Sequence, residues 1–206
     1  MSLEAITRKI PQQQRGFEKQ RLILTVCEEI ILEEDVNSLK MNNVAQRAGI
    51  SIGSLYQYFP TKSAIVAALA EEVLGAYREV VQKLLDAVTT KKEFAQAIQA
   101  IIAKSVTYQK KNPLLVEVAL GASADRLTRH LVAEDSKRGA AALAEVAKRV
   151  KIKGDDKTLA RQSRLFERLI ADAVRISASE RGKAAKDTLE ECATLILKEW
   201  GLNRYA

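Results

Sequence analysis

The chain has 206 residues, enough for one large domain or two small ones, and its 47% hydrophobic content supports a packed core and excludes a disordered chain. Three prolines, nine glycines and 5% aromatics beside abundant Ala, Leu, Glu, Lys and Arg favour an all-helical fold, and no alternating polar–apolar run is long enough for a strand. A formal charge of +7 suits a polyanionic partner, while the lack of a secretory leader and of any 18-residue apolar run leads us to expect a soluble, cytoplasmic protein with no membrane contact.

Residues 1–16 carry Pro11, three glutamines at 12–14 and Gly16 without helical periodicity. They read as a flexible basic arm. Arg8, Lys9 and Arg15 are candidates for phosphate or minor-groove contact, the plainer alternative being a solvated terminus. A first helix is expected over 18–34, where Leu22, Ile23, Val26, Cys27, Ile30 and Ile31 recur every three or four residues. Asp35-Val36-Asn37-Ser38 is a turn, because Asp and Asn tolerate left-handed backbone.

The next stretch organises the rest. Residues 41–48 and 52–59 read as two short helices joined at Gly49, the residue a left-handed helix stop needs, with Ser51 as the N-cap of the second. Ile52, Leu55 and Phe59 are spaced to point inward. Gly53, Ser54, Tyr56, Gln57 and Tyr58 are left for the more exposed faces. Two helices around such a turn make a helix-turn-helix, whose second helix enters the DNA major groove. Residues 1–65 hold eight Lys/Arg against seven Asp/Glu, so placement of a few groups, not bulk charge, must make any DNA contact there.

Pro60 stops the second short helix and Thr61 caps a long one over 62–87. Further helices are expected over 93–110, 113–120, 124–150, 157–178 and from about 183 to 202. They are separated by Thr89–Lys92, Asn112-Pro113, Gly121–Ser123, Gly154–Asp156 and Arg181-Gly182. The last two carry wide apolar stripes, suited to burial inside the chain or against a second copy. The expected division is an arm (1–16), a helix-turn-helix domain (17–61) and a second helical domain (62–206).

The two cysteines, Cys27 and Cys192, lie in helical apolar patterns and read as buried thiols, not a disulfide. One histidine, His130, with no cysteine pair gives no metal site, and no cofactor motif is present. Catalytic residues are absent from this reading as well: there is no nucleophile elbow, phosphate loop or paired histidine.

The apolar pattern of the first helix resembles that of the TetR (tetracycline-repressor) family N-terminal domain. So do Val44-Ala45, Ala48-Gly49-Ile50-Ser51, Gly53, Leu55-Tyr56, Tyr58-Phe59 and Lys62. The likeness spans about fifty residues, from Arg21 to Leu69. It implies an all-helical homodimer whose N-terminal domain binds a double-stranded, palindromic DNA operator. Its C-terminal domain would bind a small-molecule effector and dimerise through the last two long helices, with repression relieved on effector binding. The rival expectation is a helical dimer with an architectural or protein-binding role and no specific operator. Two departures are visible: Asp35 stands where the family usually has Gly, and Lys40 where a Thr usually caps the second helix and touches a phosphate.

By family position Tyr56 and Lys62 are expected on phosphates, with Tyr58 beside them, and Lys40 as a point charge. Ser54 and Gln57 are the expected base readers, Gln matching an adenine edge. Ile52 packs on a thymine methyl if not in the core, Gly53 allows close backbone approach, and Ser51, Asn42, Asn43 and Arg47 support the backbone contacts. Tyr77, Tyr108, His130 and Phe166 are candidates for the effector pocket. Leu165, Leu169, Ala173, Leu189, Cys192, Ile196 and Trp200 are candidates for the dimer interface.

Overall fold

The computed structural model describes residues 3–121 and 126–205, the side chains of 3–13 and 118–121 excepted. Among the described residues it contains nine α-helices, one 3-10 turn and no strand. They are α1 (Leu3–Glu33), α2 (Met41–Arg47), α3 (Ile52–Tyr58), α4 (Lys62–Asp86), α5 (Lys91–Lys111), α6 (Pro113–Gly121), α7 (Arg126–Arg149), α8 (Asp156–Ser179) and α9 (Lys183–Glu199), followed by the 3-10 turn Asn203–Tyr205. No described helix is long and apolar enough to cross a membrane.

One expectation is corrected at once. Residues 3–16 were read as irregular, yet α1 begins at Leu3 and runs through Pro11 and Gly16. Glu4, Ala5, Lys9, Gln12–Gln14 and Arg15 are good helix formers, and they outweigh Pro11, which at the ninth position of α1 is an interior proline that removes one backbone bond. The side chains of Arg8 and Lys9 lie outside the described residues.

The chain forms two compact units. The first comprises Met1–Val73 with Pro113–Leu131, the second Leu74–Asn112 with Val132–Ala206. In the first, Ile23, Cys27, Ile30 and Ile31 of α1 meet Leu39, Val44, Leu55 and Ile65, all at most 2% exposed. Leu114 of α6 is buried in the same cluster. The loop after α1 does not use left-handed backbone, contrary to the expectation for Asp35 and Asn37. Asp35 Oδ1 instead accepts the backbone N–H groups of Asn37 (2.6 Å) and Ser38 (2.8 Å), an Asx turn. This explains how Asp serves where Gly is usual: the side chain, not a positive φ, turns the chain.

The second unit is built on Phe94, Ile98, Leu85, Ile196 and Leu202. Trp200 stacks on Phe94 with ring centroids 5.2 Å apart and receives Phe166 edge-on at 4.8 Å. Its Nε1–H donates to Gln162 Oε1 at 3.0 Å. Ala173, Cys192, Ile196 and Trp200 were expected at a dimer interface, and this is corrected: all four lie in the chain's own core. Stripes as wide as those of α8 and α9 have an inner and an outer half, and these residues occupy the inner one. Helix ends are closed by side chains. Thr90 and Glu93 form a reciprocal capping box on α5, Asp155 caps α8, and Arg149 Nη1 donates to the carbonyls of Leu85 and Val88 at the end of α4. Burial pushes the thiol of Cys27 up to about 12 and that of Cys192 up to about 11, and both are free, unreactive thiols.

Candidate nucleic-acid interface

The turn between α2 and α3 is set by backbone geometry. Gly49 has φ +64°, its N–H donates to the Gln46 carbonyl (3.2 Å), and the Ile50 N–H donates to the Ala45 carbonyl (3.0 Å). These are the two bonds of a Schellman stop. Ser51 then caps α3, its Oγ accepting the Ser54 N–H at 3.1 Å. At the far end the chain turns through Pro60, and Thr61 Oγ1 accepts the Ala64 N–H (3.1 Å) to start α4.

With α3 so held, Leu55 (0% exposed) and Phe59 (4%) anchor its inner face. Ile52, Gly53, Tyr56 and Gln57 share the outer one. Ile52 is 38% and Tyr56 49% exposed, so the expectation that Ile52 turns inward is corrected: it shares the spacing of Leu55 and Phe59 but, as the first residue of α3, it stays in solvent while those two are buried. A Cβ at Gly53 would meet nothing within 4 Å, so the backbone there is open. Ser54 is half-buried, and Tyr58 is packed against the core of this unit.

The groups flanking α3 are more committed. Lys40 has extended backbone and makes no side-chain cap, so α2 starts on the Val44 N–H to Lys40 carbonyl bond (3.0 Å). Lys62 Nζ donates to the Asn37 carbonyl at 2.9 Å, tying the start of α4 to the loop after α1. Backbone N–H donation from Ser38, then from Asn37, with the Lys62 charge as a smaller cause, holds the Asp35 carboxyl below its ordinary range. Arg47 forks onto Glu33, with Nη1–Oε2 and Nη2–Oε2 both 2.8 Å. That bond raises the guanidinium above its ordinary value and lowers the carboxyl. Asn42 is exposed on α2 and Asn43 half-buried.

Sequence reasoning did not single out Lys19. With Arg15, Gly16, Glu18 and Leu22 of α1 it forms a shallow groove against Tyr58 at the end of α3. Arg15, expected in an irregular arm, is thus a helical residue beside the end of α3. The signal was present as basic residues at i and i+4.

Of the residues expected in an effector pocket, the structure brings Tyr77 and Tyr108 together, with centroids 5.0 Å apart and rings tilted by 45°. Ser105 Oγ donates to the Ile101 carbonyl, so Tyr77 donates its hydroxyl to Ser105, and burial pushes the Tyr77 phenol up. Phe166 is elsewhere, edge-on to Trp200, and His130 is exposed on α7. Unexpected polar pairs share the second unit. Arg78 Nε donates to Asp135 Oδ1 (2.7 Å), and Ser136 donates to Glu167, whose carboxyl burial raises.

Residues 23–69 match the model of the bacterial regulatory proteins of the tetR family. A nucleoid occlusion factor SlmA of Haemophilus ducreyi is 25% identical over 114 residues, covering 55% of this chain and 54% of that protein. An HTH-type transcriptional regulator of Staphylococcus aureus is 26% identical over 94 residues, covering 45% and 49%. An uncharacterised HTH-type regulator of Mycobacterium tuberculosis is 31% identical over 94 residues, covering 45% of each chain. The chain thus spans about half the length of the curated relatives it matches. Among solved structures, a Streptomyces coelicolor transcriptional regulator shares the fold with a TM-score of 0.68 at 20% identity, covering 87% of this chain and 98% of that one. Salmonella enterica GusR does so at 0.65 and 16%, covering 89% and 96%.

Proposed function

We propose that this chain, which belongs to the TetR family of bacterial transcriptional regulators by its residues 23–69, binds a palindromic operator as a homodimer and releases it when a small molecule occupies its second unit. The observation that carries the reading is the outward face of α3, where Ile52, Gly53, Tyr56 and Gln57 stand clear of the protein on a helix whose opposite side is locked by Leu55 and Phe59. Gln57 and Ser54 read base edges. Tyr56, Tyr58 and Lys40 set register on phosphates, joined by Lys62 once its ammonium turns from Asn37.

Dimerisation through α8 and α9 is supported by large apolar side chains left in solvent there: Leu165 at 62%, Leu195 at 57% and Ile176 at 48%. Two recognition helices must enter successive major grooves ~34–36 Å apart, so a small change in their spacing abolishes joint binding. The Tyr77–Tyr108 pair is the effector locus we favour, because Tyr77 lies on α4, the helix that starts directly after α3. An effector switches the protein only through a difference in affinity between the two spacings.

The test is competition binding at moderate salt. A duplex selected from a random library should outcompete bulk random duplex by roughly a thousandfold. Equal competition would overturn sequence-specific regulation in favour of an architectural role.

A further inference from the structure

The core of the second unit is dry at one end and polar at the other. Leu85, Phe94, Ile98, Ala147 and Leu159 close the dry end, all at most 2% exposed. Further along α4, α5, α7 and α8 the inward stripes change character. Tyr77, Ser105, Ser136 and Glu167 stand one helical turn from the apolar Val81, Ile101, Ala140 and Ile170, where the periodicity asks for another apolar side chain. Hydrogen bonds set them at one level. Tyr77 donates to Ser105, Ser136 donates to Glu167, and beside them Arg78 Nε donates to Asp135 Oδ1 at 2.7 Å. The Tyr108 ring lies 5.0 Å from that of Tyr77. Tyr77, Tyr108, Asp135 and Glu167 are half-buried, so solvent reaches this layer. While α5 lies close on α8 and α9, neither α4 nor α7 comes as close to any of the three. Side chains, not backbone contact, therefore span the polar layer, and it is the part of the unit able to admit a small molecule.

Donors and acceptors in this layer do not balance. Ser105 gives its proton to the Ile101 carbonyl at 2.8 Å, Tyr77 to Ser105, and Ser136 to Glu167. What remains is accepting capacity on the Glu167 carboxylate and on the Tyr77 oxygen. Charge is uneven in the same sense. Arg78 and Asp135 offset one another, whereas Glu167 makes no ion pair among the described residues. Arg168, next to it on α8, faces solvent. Burial raises the Glu167 carboxyl, and burial followed by the charges of Glu167 and Asp135 raises the Tyr77 phenol, so the three groups share one poorly solvated space. Ser163, one turn before Glu167 on the same side of α8, is fully buried, and its Oγ has no hydrogen-bond partner.

We infer that the effector of this protein is an organic ammonium: its N–H groups bond the Glu167 carboxylate and the Tyr77 oxygen, and its apolar body lies on the Tyr77–Tyr108 ring pair. This rests on the effector reading above and adds to it the chemistry of the ligand. An ammonium brings donors alone, which are what the layer lacks, and its charge offsets the one carboxylate there without a cation. A cation over a tyrosine face gains a further attraction from the ring. A neutral alcohol of the same shape leaves the Glu167 charge uncompensated. A carboxylate is repelled by Glu167 and has to compete with Asp135 for Arg78.

The experiment uses three matched sets of small molecules on the same aromatic and alkyl skeletons, ending in a primary ammonium, an alcohol or a carboxylate. One such trio is 2-phenylethylammonium, 2-phenylethanol and phenylacetate. Binding to the full chain is read by titration calorimetry, and release of the selected duplex by fluorescence anisotropy, with far-UV circular dichroism to confirm that variants fold. The ammonium members should bind wild type about tenfold or more tightly than their alcohol and carboxylate counterparts, and should release the duplex. Glu167→Gln keeps the shape and an acceptor for Ser136, and should bring the ammonium members to the level of the alcohols. Glu191→Gln, at an exposed carboxylate on α9, should leave the preference intact. Alcohols or carboxylates that bind and release as well as the ammonium members, or a preference that survives Glu167→Gln, would overturn the cation assignment and leave the effector reading standing. Ammonium members that bind but leave the duplex in place would overturn their role as effectors. If no member of any set binds wild type or loosens its hold on the duplex, the effector reading itself fails and the assignment falls with it.

Discussion

Arg47, in the last turn of α2, reaches back to Glu33 at the end of α1, with a forked pair of contacts at 2.8 Å. The pair fixes where α2 leaves α1, and so helps aim α3. It also occupies a guanidinium expected to support the DNA backbone contacts. The pair is exposed, so its direct contribution to stability is small. Its effect on DNA binding is the informative quantity. Glu33→Gln should release Arg47 toward a phosphate and steepen the dependence of log affinity on log salt by about 0.9 per chain. Arg47→Gln in the otherwise native chain should leave that slope unchanged. A slope that falls on Arg47→Gln would show that Arg47 already contacts DNA.

Gln57 and Tyr56 separate reading from anchoring. Both side chains are exposed, so Gln57→Ala and Tyr56→Phe should leave the melting temperature within about a degree or two of wild type. Gln57→Ala should cost about 1–3 kcal/mol of discrimination at one base position, measured with operator variants. Tyr56→Phe should weaken all duplexes alike. Combining it with Lys62→Ala should weaken them further, and should also loosen the loop after α1, because Lys62 bonds the Asn37 carbonyl. Equal operator preference in wild type and Gln57→Ala would remove Gln57 from the reading surface.

The parts of this interface that were legible in the sequence are those decided within four residues of chain. Gly49, Ser51, Thr61 and the inward Leu55 and Phe59 depend on local backbone and helix periodicity, and they stand in the structure as the spacing predicts. The Arg47–Glu33 and Lys62–Asn37 contacts were not legible, since each depends on how separate helices cross. The irregular reading of residues 3–16 failed because Pro11 and Gly16 were weighed above the helix formers around them. Tyr77 and Tyr108 meet between α4 and α5, a contact that neither helix shows alone.

The Asx turn at Asp35 makes a pH prediction. Its folded pKa is depressed, chiefly by the Ser38 backbone N–H, so its stabilising contribution is present above the ordinary Asp pKa, about 3.9. It is lost as pH falls through the lower folded value. Asp35→Ala should therefore be less stable than wild type at pH 7, and the gap should narrow as the medium is acidified below about 4. Asp35→Asn, which keeps the accepting oxygen, should lie between them. A gap constant with pH would show that the carboxylate charge plays no part.

Trp200 discriminates core from interface. It is 4% exposed and touches both Phe94 and Phe166, so Trp200→Ala should cost about 3–5 kcal/mol in denaturant unfolding of the second unit. The loss should not depend on protein concentration, because the contacts are within one chain. A loss that grows on dilution would return Trp200 to an interface.

Ser163 is fully buried on α8, and its Oγ alone among the described buried side-chain polar atoms lacks a hydrogen-bond partner. A buried hydroxyl without a partner costs about 1–3 kcal/mol in desolvation, and an alanine methyl occupies nearly the same space at no such cost. Ser163→Ala should therefore leave the second unit as stable as wild type or up to about 1 kcal/mol more so, read from the denaturation midpoint at unchanged slope. A clear destabilisation would mean that the hydroxyl finds a partner in solution, such as a bound water. Ser163 would then join Ser136, Glu167 and Tyr77 as part of a solvated polar interior and not a packing defect.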